Sequence, residues 1–411
     1  MKTHNFIVWL LFVIFIVDAS LVTSKSNSIP LTRNVLKHFK DDIQFYKDYI
    51  VLKYGSLIQK IDGSDHDTLN KPATINKSLS GTGKVNFTKS NLINGFYGPI
   101  DIGGQTFNVL FDIGSSDFWV PYWNCTECNK HKTFNESLSE TYKYIGNPFY
   151  ILYAEGSYGI NGFTAKDDLL IGGIKSVGQT FGLVTRESSF LNDAEFDGFL
   201  GMAFEALSHE NATTPFSNMV KQEAVKNPYF SFYFQQSNDT GDGGVLTLGD
   251  IDTTKFTSNL SYYNVSTLNG TYVYWMTEMF NDVFINGNSL SHHDNITQRR
   301  AIFDISIPVI LTPEDYPFYD FINGSYAGYG GIYHVPCDIK DQVTLKFGGI
   351  EFKLDPSDLI FAHDGHDCIS SVQTGYFIDD MTWLIGYPFL KNVYSVYNIR
   401  DHTIGFAPLT K

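Results

Sequence analysis

From residue 85 to the C-terminus, short apolar runs alternate with glycine-rich turns. Runs of this length, rich in β-branched and aromatic residues, predict strands, and the glycine-rich segments between them predict tight turns. Within this region, helical periodicity is confined to two stretches, 217–225 and 313–322. The pattern therefore predicts an all-β protein with a few short helices. Representative strand-and-turn segments are 98–104, 169–173 and 244–249.

One strand-and-turn pattern occurs twice and ends in an aspartate each time. One apolar run ends in Asp112 and a Gly-Ser-Ser turn, and another ends in Asp304. Further along each half, an apolar pair ends in a glycine, at Gly201 and at Gly386. This repetition indicates an internal duplication, so the two carboxylates can meet in one cleft. A buried carboxylate is costly unless it is hydrogen-bonded, so each turn is expected to supply donors.

A hairpin is predicted between these motifs. Two apolar runs, 149–153 and 158–164, flank a Gly-Ser pair that begins at Gly156. Apolar strands around such a pair favour a tight turn. Tyr153 closes the first strand; alternatively, it is an ordinary aromatic residue of that strand.

The N-terminal residues differ from the rest of the chain. A charged start, the apolar run 6–17 and small residues after it predict a signal peptide over 1–24. The alternative is a membrane anchor, for which the run is short. Residues 25–84 contain a predicted strand and an amphipathic helix at 34–50, and then an exposed linker over 62–83. Lysines recur in this segment at Lys37, Lys40, Lys47, Lys53 and Lys60.

Composition narrows the choice of partners and compartment. The 411 residues suffice for two lobes after processing, and the net charge of −15 argues against nucleic acid or anionic membranes as partners. Four cysteines in a secreted chain suggest two disulfides, with three possible pairings. The spacing of Cys125 and Cys128 also fits a redox or zinc pair, but no second pair has zinc-knuckle spacing, which favours a disulfide. Candidate N-glycosylation sites are Asn76, Asn86, Asn124, Asn135, Asn211, Asn238, Asn259, Asn264, Asn269, Asn295 and Asn323.

Taken together, the motifs resemble those of the pepsin-like aspartic proteases, the group of pepsin, cathepsin D and the plasmepsins, over residues 97–408. The resemblance implies a bilobal double β-barrel with pseudo-twofold symmetry, an N-terminal lobe with a flap at 85–240 and a C-terminal lobe at 241–411. It also implies disulfides Cys125–Cys128 and Cys337–Cys368. The markers, in order, are 111–116, 119–121, Tyr153, 156–157, 196–198, 301–304 and 404–408.

The resemblance also implies a chemistry. Two adjacent carboxylates share one proton, so the ionised one activates water and the protonated one donates to the peptide carbonyl. Asp112 and Asp304 take these catalytic roles, and no cofactor or metal is required. The substrate-binding and flap positions are Gly114, Ser115, Trp119, Tyr153, Gly156 and Ser306, with Tyr153 expected to hydrogen-bond toward Trp119. The segment 25–84 becomes an inhibitory pro-segment, in which Lys53 is the candidate for the cation between the aspartates; the alternative is a solvated basic helix.

Several positions depart from the family pattern. Ile113 and Ile305 replace hydroxyl residues that cross-link the two aspartate loops, so we expect an apolar seam there. Ser306 stands where the family has glycine, and Ile307 replaces the hydroxyl that serves the second aspartate. Losing that donor is expected to raise the pKa of Asp304. Two further replacements are Pro308, which lacks an N–H, and Tyr387, where the family usually has Asp.

Two functional hypotheses follow. The first is a secreted, monomeric aspartic endopeptidase made as a zymogen, which acts on peptides or proteins in an extracellular or lysosome- or vacuole-like compartment. The second is a catalytically impaired relative that binds peptides or proteins in the same cleft. A third hypothesis, metal binding, rests on histidines beside aspartates in two loops. These histidines are His292, His293, His363 and His366.

Overall fold

The computed structural model describes residues 53, 80–91, 94–128, 130–153, 158–235, 243–290, 299–313, 316–328, 331–364, 367–375 and 379–410. All of them belong to one compact unit, Phe39–Lys411. The predicted signal peptide, and nearly all of the predicted pro-segment apart from Lys53 and residues 80–84, lie outside the described residues. None of the described helices has the length and apolar character needed to cross a membrane.

Strands dominate the described chain. The first half contains β1 (Gly83–Lys89), β2 (Phe96–Ile102), β3 (Gln105–Asp112), β4 (Phe118–Pro121), β5 (Lys143–Tyr153), β6 (Tyr158–Ile171), β7 (Ile174–Arg186), β8 (Gly198–Gly201), β9 (Tyr229–Phe234) and β10 (Gly243–Leu248). The second half contains β11 (Ser261–Asn264), β12 (Met276–Ile285), β13 (Asn288–Ser289), β14 (Arg299–Phe303), β15 (Ile310–Thr312), β16 (Tyr326–Ala327), β17 (Tyr333–Val335), β18 (Val343–Phe347), β19 (Ile350–Lys353), β20 (Ile360–Asp364), β21 (Asp367–Ser370), β22 (Val372–Thr374), β23 (Thr382–Ile385), β24 (Val393–Asn398) and β25 (Thr403–Pro408).

Two short α-helices, α1 (Pro215–Lys221) and α2 (Tyr387–Leu390), accompany the strands. Helix α1 was predicted over 217–225, but the chain leaves the helical conformation earlier, and Glu223 adopts a left-handed φ of 56°. The second predicted helix, 313–322, is instead a 3-10 turn, Phe318–Phe321. Pro317 disfavours the helical backbone conformation at the preceding residue, so a helix cannot run through this stretch. The sequence analysis did not predict α2.

The two lobes repeat one strand order, which confirms the pepsin-like bilobal all-β fold. Strands β2-β3-β8-β4-β7-β6 close into a six-stranded barrel, because β6 also pairs with β2. The second lobe follows the same path as β12-β14-β23-β15-β22. In each lobe the strand that leads to the aspartate pairs in parallel with a partner, β3 with β8 and β14 with β23. Each partner then pairs antiparallel with the next strand, β4 or β15.

A shared sheet joins the lobes. Beyond the barrel, the 13-stranded sheet continues on one side as β5, which pairs with β6, and on the other as β11-β25-β24-β9-β10-β1. In this second part, β24 of the second half pairs with β9 of the first. Strand β1 pairs with both β10 and β2, so a pro-segment boundary at 84/85 would fall inside this strand. The expected lobe boundary near residue 240 falls in residues 236–242, which lie outside the described chain. A separate four-stranded sheet, β16-β17-β21-β20, completes the second lobe.

Candidate active site

Both aspartates are carried inward by strands that become progressively buried. Along β3, exposed Asn108 gives way to a fully buried run that ends in Asp112, and β14 is buried from Ala301 onward up to Asp304. The carboxylates are 1% and 0% exposed. At such depth an ionised group needs hydrogen bonds or an opposite charge, so its partners decide its state.

The two turns supply equivalent backbone donors. The Gly114 amide donates to Asp112 Oδ1 at 2.7 Å, and the Ser306 amide donates to Asp304 Oδ1 at 2.8 Å. Ser115 adds a hydroxyl, which donates to Asp112 Oδ2 at 2.6 Å. The two backbone hydrogen bonds are equivalent, as the pseudo-twofold symmetry of the fold predicts. Each turn therefore supplies hydrogen-bond donors to its aspartate, as expected from the sequence.

The Lys53 ammonium group contacts both carboxylates. Its ammonium donates to Asp112 Oδ1 and Oδ2 at 2.8 and 2.9 Å and to Asp304 Oδ2 at 2.7 Å. The Lys53 side chain is only 7% exposed. Asp112 and Asp304, 192 residues apart in sequence, therefore face each other across a single buried cation.

The charge state of Asp112 follows from these contacts. Burial alone would raise the pKa of its carboxyl group, but the Lys53 ammonium opposes this through its charge and its hydrogen bonds. The donors on Ser115 and Gly114 act in the same direction. The net effect lowers the pKa of Asp112 below its ordinary value of 3.8, which favours the ionised carboxylate beside Lys53.

The second aspartate keeps a hydroxyl donor, although from an unexpected position. Ile307 is fully buried and cannot donate, as anticipated. However, Ser306 Oγ lies 2.8 Å from Asp304 Oδ1, 3.4 Å from Asp112 Oδ1 and 3.1 Å from Lys53 Nζ. The expectation that Asp304 lacks a hydroxyl partner is therefore wrong. The backbone at Ser306 does not adopt a positive φ, so the turn does not require the conformational freedom of glycine.

The isoleucines after each aspartate pack as expected of an apolar seam. Ile113 and Ile305 are 0% exposed and lie in the same hydrophobic cluster. Tyr387 is also buried; its ring lies 4.9 Å from that of Phe96 and 5.4 Å from that of Phe234, centroid to centroid. An aromatic cluster that includes residues of both halves thus occupies the place where an acidic side chain was expected.

The remaining predicted site residues are described in part. Trp119 is buried and stacks on Phe199 at 5.3 Å, and its indole nitrogen has no hydrogen-bond partner among the described residues. Tyr153 ends β5, and its backbone pairs with Tyr158. The Tyr153 side chain and Gly156 lie outside the described part of the chain. The hydrogen bond predicted from Tyr153 toward Trp119 therefore stays a prediction.

Both disulfides implied by the family resemblance are present, Cys125–Cys128 and Cys337–Cys368. His363 Nδ1 lies 3.1 Å from Cys368 Sγ. A sulfur in a disulfide cannot act as a thiolate ligand, so this trio does not fit a metal site. The other histidines of the metal hypothesis, 292, 293 and 366, lie outside the described residues.

Sequence reasoning missed a second acidic cluster behind the Asp112 turn. Asp117 accepts hydrogen bonds from the His209 backbone amide at 2.7 Å and from Ser208 Oγ at 3.1 Å, and it lies 2.7 Å from the His209 ring nitrogen Nδ1. Glu210 lies beside it; burial, reinforced by the charge of Asp117, raises the pKa of Glu210 well above its ordinary 4.5. The only sequence signal was an aspartate between the Gly-Ser-Ser turn and an apolar strand.

Comparison with known proteins agrees with this geometry. The family model described as eukaryotic aspartyl protease matches residues 95–409. Gastricsin from Callithrix jacchus is 34% identical over 76% of this chain and 81% of its own length. Cathepsin E from Aquarana catesbeiana is 31% identical over 76% and 79%, respectively. The vacuolar aspartic protease of Candida albicans is 30% identical over 95% of this chain and 96% of its own, so that similarity also includes residues before 95.

Proposed function

The chain belongs to the eukaryotic aspartyl protease family, and from that premise we propose that it is an acid endopeptidase made as a zymogen. Asp112 and Asp304 are the proposed catalytic pair, and peptides or proteins are the proposed substrates. The observation that carries this proposal is the convergence of both carboxylates on Lys53 Nζ, at 2.8 and 2.7 Å. Two carboxylates that share one cation in the proposed zymogen lie close enough for their titrations to be coupled once the cation leaves.

The proposed mechanism uses the pair as one unit. Two neighbouring buried carboxylates cannot both ionise cheaply, so one proton is shared between them in acid. The ionised oxygen accepts a proton from a water molecule, and that water attacks the peptide carbonyl carbon. The protonated carboxyl donates to the carbonyl oxygen, which becomes a hydroxyl of the tetrahedral intermediate. The amides of Gly114 and Ser306 hold the two carboxyl groups in position throughout.

Latency is proposed to come from residues 25–84. Lys53 pairs with both aspartates through one ammonium group and fills the position that a water molecule needs. Cleavage within the linker 62–83, before β1 begins at Gly83, would allow the segment to leave without disrupting the shared sheet. A signal peptide at 1–24 would send the zymogen into the secretory route, toward an extracellular or a lysosome- or vacuole-like compartment.

One set of observations favours the alternative, a relative that binds peptides but cuts them poorly or not at all. Ile307 and Pro308 are buried directly after the Asp304 turn, and neither offers the hydroxyl found at these positions in the family. Pro308 also lacks a backbone N–H that could bind substrate. The cleft could then retain affinity for peptides while losing most of its rate.

An acidification experiment separates the two proposals. The zymogen is brought to about pH 4, the acid range expected of a shared-proton pair, and cleavage within 62–85 and of denatured globin is followed. The active-protease proposal expects cleavage by the wild type and none by Asp112→Asn. The triple variant Ile305→Thr/Ser306→Gly/Ile307→Thr restores the family pattern. Cleavage by this variant alone would identify the native chain as the impaired relative.

A further inference from the structure

The Ser306 hydroxyl lies at the centre of the proposed catalytic pair. It is the side chain that replaces the glycine of the family pattern, and it is 3% exposed. Its oxygen lies 2.8 Å from Asp304 Oδ1 and 3.4 Å from Asp112 Oδ1. A hydroxyl has one proton to donate, so Ser306 can serve either carboxylate but only one at a time, and the shorter distance favours Asp304.

The position of Lys53 shows where the reacting water would lie. Lys53 Nζ donates to both oxygens of Asp112 and to Asp304 Oδ2, and Ser306 Oγ lies 3.1 Å from it. The ammonium nitrogen stands in for the oxygen of a water molecule that bridges the two carboxylates. A water molecule in that place would have Ser306 Oγ as an additional hydrogen-bond partner.

We propose that Ser306 is a positioning residue whose hydroxyl donates to the ionised carboxylate of the pair, at 2.8 Å if this is Asp304, and orients the nucleophilic water. It thereby extends the working range of this protein toward lower pH. The proposal rests on the proposed function in assigning water activation to the pair. It adds a group that the family pattern does not have. The Ser306 hydroxyl thus replaces, from the adjacent position, the donor that is missing at Ile307.

The direction of the effect follows from the donor. A hydroxyl that donates to a carboxylate favours the ionised form, so the pair holds its shared proton less tightly. Among the described residues, besides Lys53, the titratable groups that interact with this site are Tyr274, near Lys53, and Tyr397 of β24, near Asp304. Burial raises the pKa of both tyrosines above the ordinary 10, so both are neutral in acid. The titration seen between pH 2 and 7 therefore belongs to the carboxylates.

The test compares pH profiles of the processed wild-type protein with those of Ser306→Ala and Ser306→Gly. Two readouts are recorded: kcat/KM on a peptide substrate, and affinity for pepstatin, a mimic of the transition state, by calorimetry. We expect both profiles of both variants to shift toward higher pH by about one unit, as expected for loss of one hydrogen bond to a charged group. Ser306→Thr, which keeps a hydroxyl, is expected to retain the wild-type profile.

Two serines of the Asp112 turn, Ser115 and Ser116, provide matched controls. Ser115→Ala also removes a hydroxyl from a carboxylate, at 2.6 Å from Asp112 Oδ2, and should shift the profile in the same direction. Ser116→Ala removes a hydroxyl that donates to the Phe204 carbonyl, and should leave the profile in place. Affinity profiles of Ser306→Ala and Ser306→Gly that coincide with the wild type, while that of Ser115→Ala shifts, would overturn the proposal. If no variant cleaves peptide, the proposed function fails, but the pepstatin profile still decides the role of Ser306.

Discussion

At the scale of single residues, hydroxyl groups around the two aspartates are redistributed rather than simply lost. Ile113 and Ile305 remove them from the positions directly after each aspartate, and both side chains pack into one apolar cluster. Ile307 removes another, yet Ser306 returns a donor to Asp304 from the adjacent position. The result is an apolar seam beside the aspartates, in which Ser115 and Ser306 supply hydroxyl donors to the carboxylates.

Glu210 provides a residue-scale prediction of pH-dependent stability. Its side chain is 8% exposed, its Oε1 has no partner among the described residues, and burial beside Asp117 raises its pKa. A carboxyl with a raised folded pKa contributes stability that is complete below its unfolded value, here 4.5, and is lost as the pH rises toward the folded value. Glu210→Gln should therefore stabilise the protein at pH 7 by about 1–3 kcal/mol, the usual cost of poorly satisfied buried groups.

The measurement is urea unfolding at pH 7 and at pH 4, where the gain should disappear. Glu205→Gln is the matched control, because Glu205 lies in the same segment but forms an exposed ion pair with Lys221 at 2.7 Å. Exposed pairs contribute little, so this variant should change stability by less than about 1 kcal/mol at either pH. A Glu210→Gln variant that is less stable than the wild type at pH 7 would contradict the interpretation.

How far the sequence predicted these residues depended on the range of their contacts. Asp112 and Ser115 are three residues apart, so one local motif identified both the carboxylate and its donor. The role of the Ser306 hydroxyl, by contrast, depends on Asp112, 194 residues away. Glu210 is 93 residues from Asp117, and no local pattern links them. Contacts of this kind are fixed only when the strands are assembled.

At the scale of elements, the motif of two apolar residues followed by glycine occurs once in each half, at Gly201 and Gly386, because each glycine lies in a tight backbone contact. Gly201 ends β8 opposite Asp112, and a Cβ added there would lie 2.5 Å from the Ser116 Cα atom. Gly386 follows β23, and a Cβ there would lie 2.3 Å from the Ile307 carbonyl oxygen. Backbone cannot move aside as a flexible side chain can. Each glycine thus lets a strand approach the opposing aspartate turn closely.

Replacing the second of these glycines should disturb the Asp304 turn. Gly386→Ala is expected to cost about 1–3 kcal/mol or more, as overpacking of a tight backbone contact does. Thermal unfolding at neutral pH measures this. Gly375→Ala is the control, because its added Cβ would lie 3.4 Å from Leu311 Cδ1, in ordinary contact. Equal stability of the two variants would show that the close approach at Gly386 is not required.

The sequence predicted the strands more reliably than their arrangement. Apolar runs and turns identified β3 and β14, and the duplication indicated two equivalent halves. The pairing of β3 with β8 is parallel and joins residues far apart in the chain, so no local pattern specifies it. Resemblance to the family provided that arrangement. The short helix α2 escaped prediction because four residues are too few to show a helical period.

At the scale of the whole molecule, Lys53 connects the N-terminal region to both lobes through one buried charge. Because the ammonium lowers the pKa of Asp112, the ion pair stabilises the full-length chain above the unfolded value of 3.8. That stability is lost as the pH falls through the lower, folded value. Acid should therefore weaken the ion pair between Lys53 and the two aspartates, which is the change that the proposed activation at low pH requires.

Lys53→Met tests this coupling, because it keeps much of the side-chain volume but removes the charge. At pH 7 the two aspartates would face each other without a cation, so the full-length chain should lose about 3–5 kcal/mol of stability, the usual effect of breaking a buried ion pair. The loss should shrink toward pH 3, and mass spectrometry should detect release of the segment at higher pH than in the wild type. Lys84→Met, which breaks an exposed pair with Asp252 at 3.0 Å, is the control and should change little. If both variants behave alike at pH 7, the charge of Lys53 does not contribute to the stability of the full-length chain, and the proposed coupling is wrong.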